Sequence, residues 1–197
     1  MNLANKLTIF RMVLVPLLVI ASLIPIEGEI LGVDISFIIM DLIFVIASIT
    51  DKLDGYIARS RNQVTTFGKF LDPLADKILV LTALVMLVGF GRIPAWIPVI
   101  VLSREFLVSG LRLVAIEKGG KVIAASIWGK IKTVTQMTAI GFLFIDVHNF
   151  FEFTSGDITG FHLFINIVSS VLLLISVVAT VFSGYDYFKN GKDYFKE

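Results

Sequence analysis

A chain of 197 residues that is 56% hydrophobic, with a mean hydropathy of +0.90, carries more apolar side chain than a soluble core of this size needs. Its formal net charge of +1 lacks the basic excess of nucleic-acid-binding domains, and with no cysteine it can build no disulfide, thiolate metal site or cysteine nucleophile. These properties predict an all-α integral membrane protein, a single domain over residues 1–197, with the lipid bilayer as its surroundings and no nucleic acid as partner.

Crossing a hydrocarbon core of about 30 Å takes roughly 20 helical residues. Six apolar runs approach that length, at 7–25, 31–50, 73–90, 93–115, 129–146 and 161–183, so six transmembrane helices are expected. The first carries Arg11 and Pro16 and has no convincing small-residue cleavage site, which predicts a retained span. The second holds Asp41 at its middle with no evident partner. Runs 2, 3 and 5 are extended or preceded by polar helical sequence, so some helices project beyond the bilayer on one side. In the fourth, Arg104 is followed by Glu105 and is read as a buried structural pair. His148 and His162 lie near the opposite face and are read as structural, while Trp96, Trp128 and the C-terminal tyrosines are read as interfacial aromatics.

In this layout fifteen of the seventeen lysines and arginines fall on one side, only Arg92 falls on the other, and Arg104 stays within a span. The other side carries Glu27, Glu29, Asp34, Asp146, Glu152 and Asp157. Cytoplasmic loops are the ones enriched in Lys and Arg, so both termini and the segment between runs 2 and 3 are predicted to face the cytoplasm.

That segment reads DKLDGYIARSRNQVTTFGKFLDPLADK, residues 51–77. Asp51, Asp54, Gly55 and Ala58 are spaced to share one face of a helix continuing run 2, and Asp72 and Asp76, four apart, share a face of the helix that opens run 3. Polar residues from Ser60 to Thr66, with Gly68 after them, predict a turn that brings four carboxylates together. Any one of them has an ordinary explanation, as a helix cap or as a partner of Arg59 or Lys77. Four together do not, because a carboxylate near the centre of a membrane helix costs roughly 2.5–3.5 kcal/mol and converging like charges repel. Divalent cations supply the missing counter-charge. Ligands that are all oxygen suit Mg²⁺ or Mn²⁺, and two such ions neutralise four carboxylates. Gly55 and Ala58 leave room for a ligand against the helix, and the nearby basic residues point to a diphosphate held as in two-metal phosphoryl transfer.

The pattern Asp51-x2-Asp54-Gly55-x2-Ala58-Arg59-x8-Gly68-x3-Asp72-x3-Asp76 resembles, at all eight positions, the signature of the CDP-alcohol phosphatidyltransferase family. At ordinary residue frequencies a chance match arises on the order of once in ten million chains of this length. The resemblance implies a six-span enzyme with a cytoplasm-facing active site. It would move a phosphatidyl group from a CDP-linked lipid to an alcohol and release CMP. By the same resemblance Asp51, Asp54 and Asp72 would bind metal, Asp76 would bind the second ion and act as the base, and Gly55, Ala58 and Arg59 would contact the nucleotide. Gly68 would allow close helix approach, and the assembly would be a homodimer.

The segments SREFLVSGLRLVA at 103–115 and WGKIKTVTQM at 128–137 resemble the branch of that family whose acceptor is glycerol 3-phosphate, with CDP-diacylglycerol as donor. A phosphorylated acceptor needs cationic partners, and Arg112, Lys130 and Lys132 fall at the cytoplasmic ends of runs 4 and 5. They are either those partners or ordinary positive-inside anchors. Asn5, Thr8 and Arg11 recur every third residue on one helix face; Asn5 and Thr8 either border the nucleotide site or only cap and line run 1. Other members of the family, such as a cardiolipin synthase or an inositol-phosphate transferase, share the signature. A cation transporter would instead hold its acids near the midplane, between repeated halves, and no repeat is visible.

Overall fold

The structure is a computed structural model that describes the backbone of residues 3–60, 66–117, 126–156 and 158–191, with the side chains of these except 3–4, 52, 54–60, 66–73 and 116. Among the described residues six α-helices carry almost all the regular structure: α1 (Leu3–Leu23), α2 (Ile35–Ser60), α3 (Thr66–Gly89), α4 (Trp96–Glu117), α5 (Ile127–Ile145) and α6 (Gly160–Gly191). A two-stranded hairpin, β1 (Glu29–Ile30) and β2 (Val33–Asp34), joins α1 to α2, and a single 3₁₀ turn (Glu152–Ser155) precedes α6.

Each apolar run has its helix, but two boundaries differ from the hydropathy reading. Residues 31–34 do not begin α2. Leu31 and Gly32, with φ of 55° and 75°, form the centre of the hairpin turn, where both residues need positive φ. Val33 is buried, which ties the hairpin to the bundle. At the other end, α6 continues past residue 183 to Gly191. Hydropathy reports the length of chain that lipid tolerates, whereas a helix can continue into water once its backbone hydrogen bonds are running. The predicted continuation of α2 holds, since that helix reaches Ser60. The predicted turn centres on residues 61–65, which lie outside the described residues.

The packing of α6 is inverted relative to a soluble protein. Its buried stripe holds Asn166, Ser169, Ser170, Ser176, Thr180 and Ser183. Its exposed surface carries Phe164, Val171, Leu174, Ile175, Val178, Val181 and Phe182. Small and polar residues inside with large apolar ones outside is the arrangement expected where the solvent is hydrocarbon. The buried positions 166, 169, 170, 173, 176, 177, 180, 183 and 187 follow the three-and-four spacing of one helix face, turned toward α5 and α4. The helices Asn5–Leu23 and Gly160–Gly191 are long and apolar enough to cross a membrane. An apolar core built on Leu18, Phe44, Leu79, Leu84, Ile97, Ile140 and Leu143 fills the centre.

The hairpin end of the bundle is pinned by contacts among three connections. The Phe150 amide donates to the Arg92 carbonyl at 3.0 Å, Phe37 meets Phe90 edge-on at 5.1 Å, and the Arg92 guanidinium lies 4.6 Å from the Phe37 ring centre. Asp146 terminates α5 and is 1% exposed, yet its carboxylate is fully hydrogen-bonded. Its Oδ1 accepts from the His148 amide at 3.0 Å, and its Oδ2 accepts from Asn166 Nδ2 at 2.9 Å and Ser169 Oγ at 2.6 Å. The His148 and His162 rings sit edge to face at 5.6 Å beside this network, in keeping with structural roles.

Candidate active site

Counting back along each helix at about 1.5 Å per residue, Arg11, Asp51, Asp76 and Lys132 all lie roughly 18–24 Å from the hairpin end. Four helices therefore deliver charged side chains to one level. The Arg11 side chain is fully buried and its Nη1 is 2.6 Å from Asp51 Oδ1, an ion pair that joins α1 to α2. Asn5 and Thr8 are buried on the same face of α1. The run Asn5, Thr8, Arg11 thus faces the bundle, and its last member reaches the signature.

Asp76 on α3 is the centre of this level. Among the described residues the charged groups acting on it are Asp51, Arg11, Lys132 and Glu105, two anions and two cations. Its Oδ1 is buried and accepts no hydrogen bond among the described residues. A cavity of about 30 Å³ is lined by Asp76, Glu105 and Lys132. Beside it Lys77 Nζ donates to Ser109 Oγ at 2.5 Å, fastening α3 to α4.

Glu105 connects Asp76 to a second, larger cavity. Its Oε1 accepts from Lys132 Nζ at 2.7 Å and from Arg104 Nη1 at 2.8 Å. Arg104 Nη2 then donates to Ser183 Oγ on α6 at 2.5 Å. Glycines on both neighbouring helices lie against that arginine: a Cβ on Gly129 would sit 3.6 Å from Arg104 Nη2 and one on Gly184 3.5 Å from Arg104 Cγ, ordinary van der Waals contact. The second cavity, about 720 Å³ between α4, α5 and α6, is lined by Arg104, Arg112, Lys130, Thr133 and Tyr187.

Of the expected acceptor residues, Arg112 and Lys130 share this cavity and Lys132 does not. Lys132 is buried, paired with Glu105 and turned to the Asp76 cavity. The reason is helical geometry: positions 130 and 132 are about 200° apart around α5, so they cannot serve one pocket. The adjacent Arg104 and Glu105 do form the expected pair, at 2.8 Å. Arg104 also lines the cavity, and so does Tyr187, which an interfacial-aromatic reading had left aside. The signal for Arg104 was its depth in an apolar run; for Tyr187 there was none, because it lies beyond the apolar part of α6.

Among the remaining signature positions, Asp54, Gly55, Ala58 and Arg59 lie on α2, and Gly68 and Asp72 lie on α3; their side chains fall outside the described residues. The helical backbone gives Asp72 and Asp76 the shared face that their spacing predicts. Among the described residues no group of three or more acidic or histidine side chains is poised to hold a metal. The two expected ligands that are described, Asp51 and Asp76, are hard oxygen donors at one level, and the buried Oδ1 of Asp76 has no hydrogen-bond partner among the described residues. That chemistry fits a divalent cation.

The sequence model of the CDP-alcohol phosphatidyltransferase family matches residues 1–182. A protein of Bacillus subtilis (strain 168) named CDP-diacylglycerol–glycerol-3-phosphate 3-phosphatidyltransferase is 42% identical over 193 residues, 95% of this chain and 93% of its own. A protein of the same name from Haemophilus influenzae is 40% identical over 195 residues, 97% of this chain and 94% of its own. A probable phosphatidylglycerophosphate synthase of Mycobacterium tuberculosis is 37% identical over 186 residues, 94% of this chain and 79% of its own.

Proposed function

Because the chain belongs to the CDP-alcohol phosphatidyltransferase family, we propose that it transfers the phosphatidyl group of CDP-diacylglycerol to glycerol 3-phosphate, giving phosphatidylglycerol phosphate and CMP. It does so as a single membrane domain of six spans, with the signature and both termini on the cytoplasmic side. Asp76 carries the reading: among the described residues its buried Oδ1 has no hydrogen-bond partner, and two cations and two further carboxylates act on it, an arrangement that suits a carboxylate taking up a bound ligand.

Asp51, Asp54, Asp72 and Asp76 would hold two Mg²⁺ or Mn²⁺ ions. Bound there, the ions would polarise the diphosphate and neutralise the departing nucleotide. Gly55, Ala58, Arg59 and Gly68 would receive the nucleotide end of the lipid, with Asn5 and Thr8 at the border of that site. Arg112 and Lys130 bind the phosphate of the acceptor and turn its free hydroxyl toward Asp76. As the acceptor oxygen attacks the lipid-side phosphorus, its proton passes to Asp76; the phosphorus–oxygen bond to CMP breaks, and CMP leaves with the bridging oxygen. Arg11 keeps Asp51 in place through their 2.6 Å ion pair. Glu105 keeps Lys132 beside Asp76.

Purified protein given CDP-diacylglycerol and a panel of acceptors should release CMP most rapidly with glycerol 3-phosphate, and chelation should stop it. Faster release with an inositol phosphate or phosphatidylglycerol, or full activity in chelator, would sink the proposal. Cysteines introduced at Glu117 and Thr154, both exposed and at opposite ends of the bundle, should label from the cytoplasm and from outside respectively. Labelling from one side would rule out the six-span arrangement.

A further inference from the structure

The acceptor cavity gathers three cations. Arg104 and Arg112 lie on α4 eight residues apart, just over two turns, and Lys130 comes from α5. The carboxylate bonded to this group, Glu105, is already shared between Arg104 and Lys132. A single phenol on α6 meets both guanidinium groups. Tyr187 is 1% exposed, and its ring centre lies 5.5 Å from the guanidinium carbon of Arg104 and 5.3 Å from that of Arg112. Arg112 Nη2 donates to the Tyr187 hydroxyl at 2.5 Å. One electron-rich ring thus faces both cations, and one hydroxyl fixes the rotation of the second.

Resting on the acceptor reading above, we infer that Tyr187 is a positioning residue for the acceptor: it holds Arg104 and Arg112 as a preformed clamp for a phosphate monoester. Contact with the ring offsets part of the cost of gathering two guanidinium groups in one cavity. Arginine has many rotamers to lose on binding, so a guanidinium already fixed in place gives up less when the anion arrives. Tyr187 lies beyond residue 182, where the family match ends, so the clamp is closed by a part of the chain outside that match. It forms because α6 continues past the apolar run, one turn beyond Ser183, the other α6 residue that Arg104 touches.

Two substitutions separate ring from hydroxyl. Tyr187→Phe keeps the ring and removes the acceptor of the Arg112 bond; Tyr187→Leu removes both. The KM for glycerol 3-phosphate should rise about threefold to tenfold in the first, as expected for the net loss of one ordinary hydrogen bond, and further in the second. The KM for CDP-diacylglycerol and kcat should stay within about twofold of wild type in Tyr187→Phe. Glycerol 3-phosphate alone should raise the melting temperature of wild type more than that of Tyr187→Phe. A purely structural tyrosine would lower melting and turnover without singling out one substrate; equal KM changes for both substrates, or none, would overturn the inference. Wild type that releases no CMP with glycerol 3-phosphate would refute the functional reading. The melting experiment still decides the clamp: stabilisation that depends on Tyr187 upholds it, and equal or absent stabilisation overturns it. Should Tyr187→Leu fail to fold, Tyr187→Phe alone carries the test.

Discussion

At the hairpin end of the bundle Asp146 is buried with three hydrogen bonds, from the His148 amide, Asn166 and Ser169. At the level of the signature Asp76 is half-buried, yet its Oδ1 is buried with no donor among the described residues, and four other charged groups act on it there. The two carboxylates face the same physical problem, desolvation of an anion, and among the described residues it is solved for one and left open for the other. A satisfied buried network gives rigidity, and here it closes α5 onto α6. An unsatisfied one is expensive to keep, so it points to a ligand that completes it. Lys132 and Arg11 reduce the cost of holding Asp76 without donating to that oxygen.

The contrast breaks most readily at Asp76. Asp76→Asn keeps the shape and removes the proposed base and metal ligand, so CMP release should fall by about 100-fold or more, and added Mg²⁺ or Mn²⁺ should not restore it. Melting should be unchanged or raised, because the substitution neutralises a poorly solvated charge. Near-normal turnover by a well-folded variant would show that the open valence at Asp76 has no catalytic meaning.

The opposite pattern is expected for Asp146→Ala. Removing the acceptor leaves Asn166 and Ser169, both buried, short of a partner, a loss of roughly 2–4 kcal/mol. Ser169 can fall back on the Asn166 carbonyl at 3.1 Å, which keeps the figure at that modest level. The melting temperature should drop while the KM values of the protein that remains folded stay as they were. Lost turnover with unchanged melting would place Asp146 among the functional groups and dissolve the distinction.

How far such a distinction can be read without coordinates depends on the kind of signal. The four aspartates were legible because spacing on a helix fixes which residues share a face, and carboxylates inside an apolar chain have few ordinary explanations. The six helices were legible because each carries an apolar run. The hairpin was not: Leu31 and Val33 belong to an apolar run, and only the positive φ of Leu31 and Gly32 separates them from the start of α2. The separate directions of Lys130 and Lys132 follow from period 3.6, yet grouping basic residues by depth alone placed them together. Tyr187 was illegible for a different reason. Its role comes from two arginines more than seventy positions earlier in the chain, a pairing that no local pattern encodes. Asp146 likewise looked like one more acid in an outer loop, because its two side-chain donors, Asn166 and Ser169, lie on the next helix.

Asp41 supplies the most demanding test, and the smallest expected effect. It shares the open valence of Asp76, since its Oδ1 is buried with no hydrogen-bond partner among the described residues. It lies against α5, where a Cβ on Gly141 would come within 3.5 Å of that oxygen. It differs in company: among the described residues burial is the one influence on it, and no charged neighbour acts on it. Ten positions before Asp51 on α2, it sits roughly 15 Å nearer the hairpin end, away from the charged level. If an unpartnered oxygen marks function only where other charges converge on it, Asp41→Asn should leave CMP release within about twofold of wild type and should not lower the melting temperature. The replacement is chemically the same as Asp76→Asn, so the pair isolates surroundings from side chain. A loss of turnover at Asp41 comparable to that at Asp76 would mean that the charges around Asp76 are not what sets it apart, and the second shared feature, a buried oxygen without a donor, would become the better guide to function in this bundle.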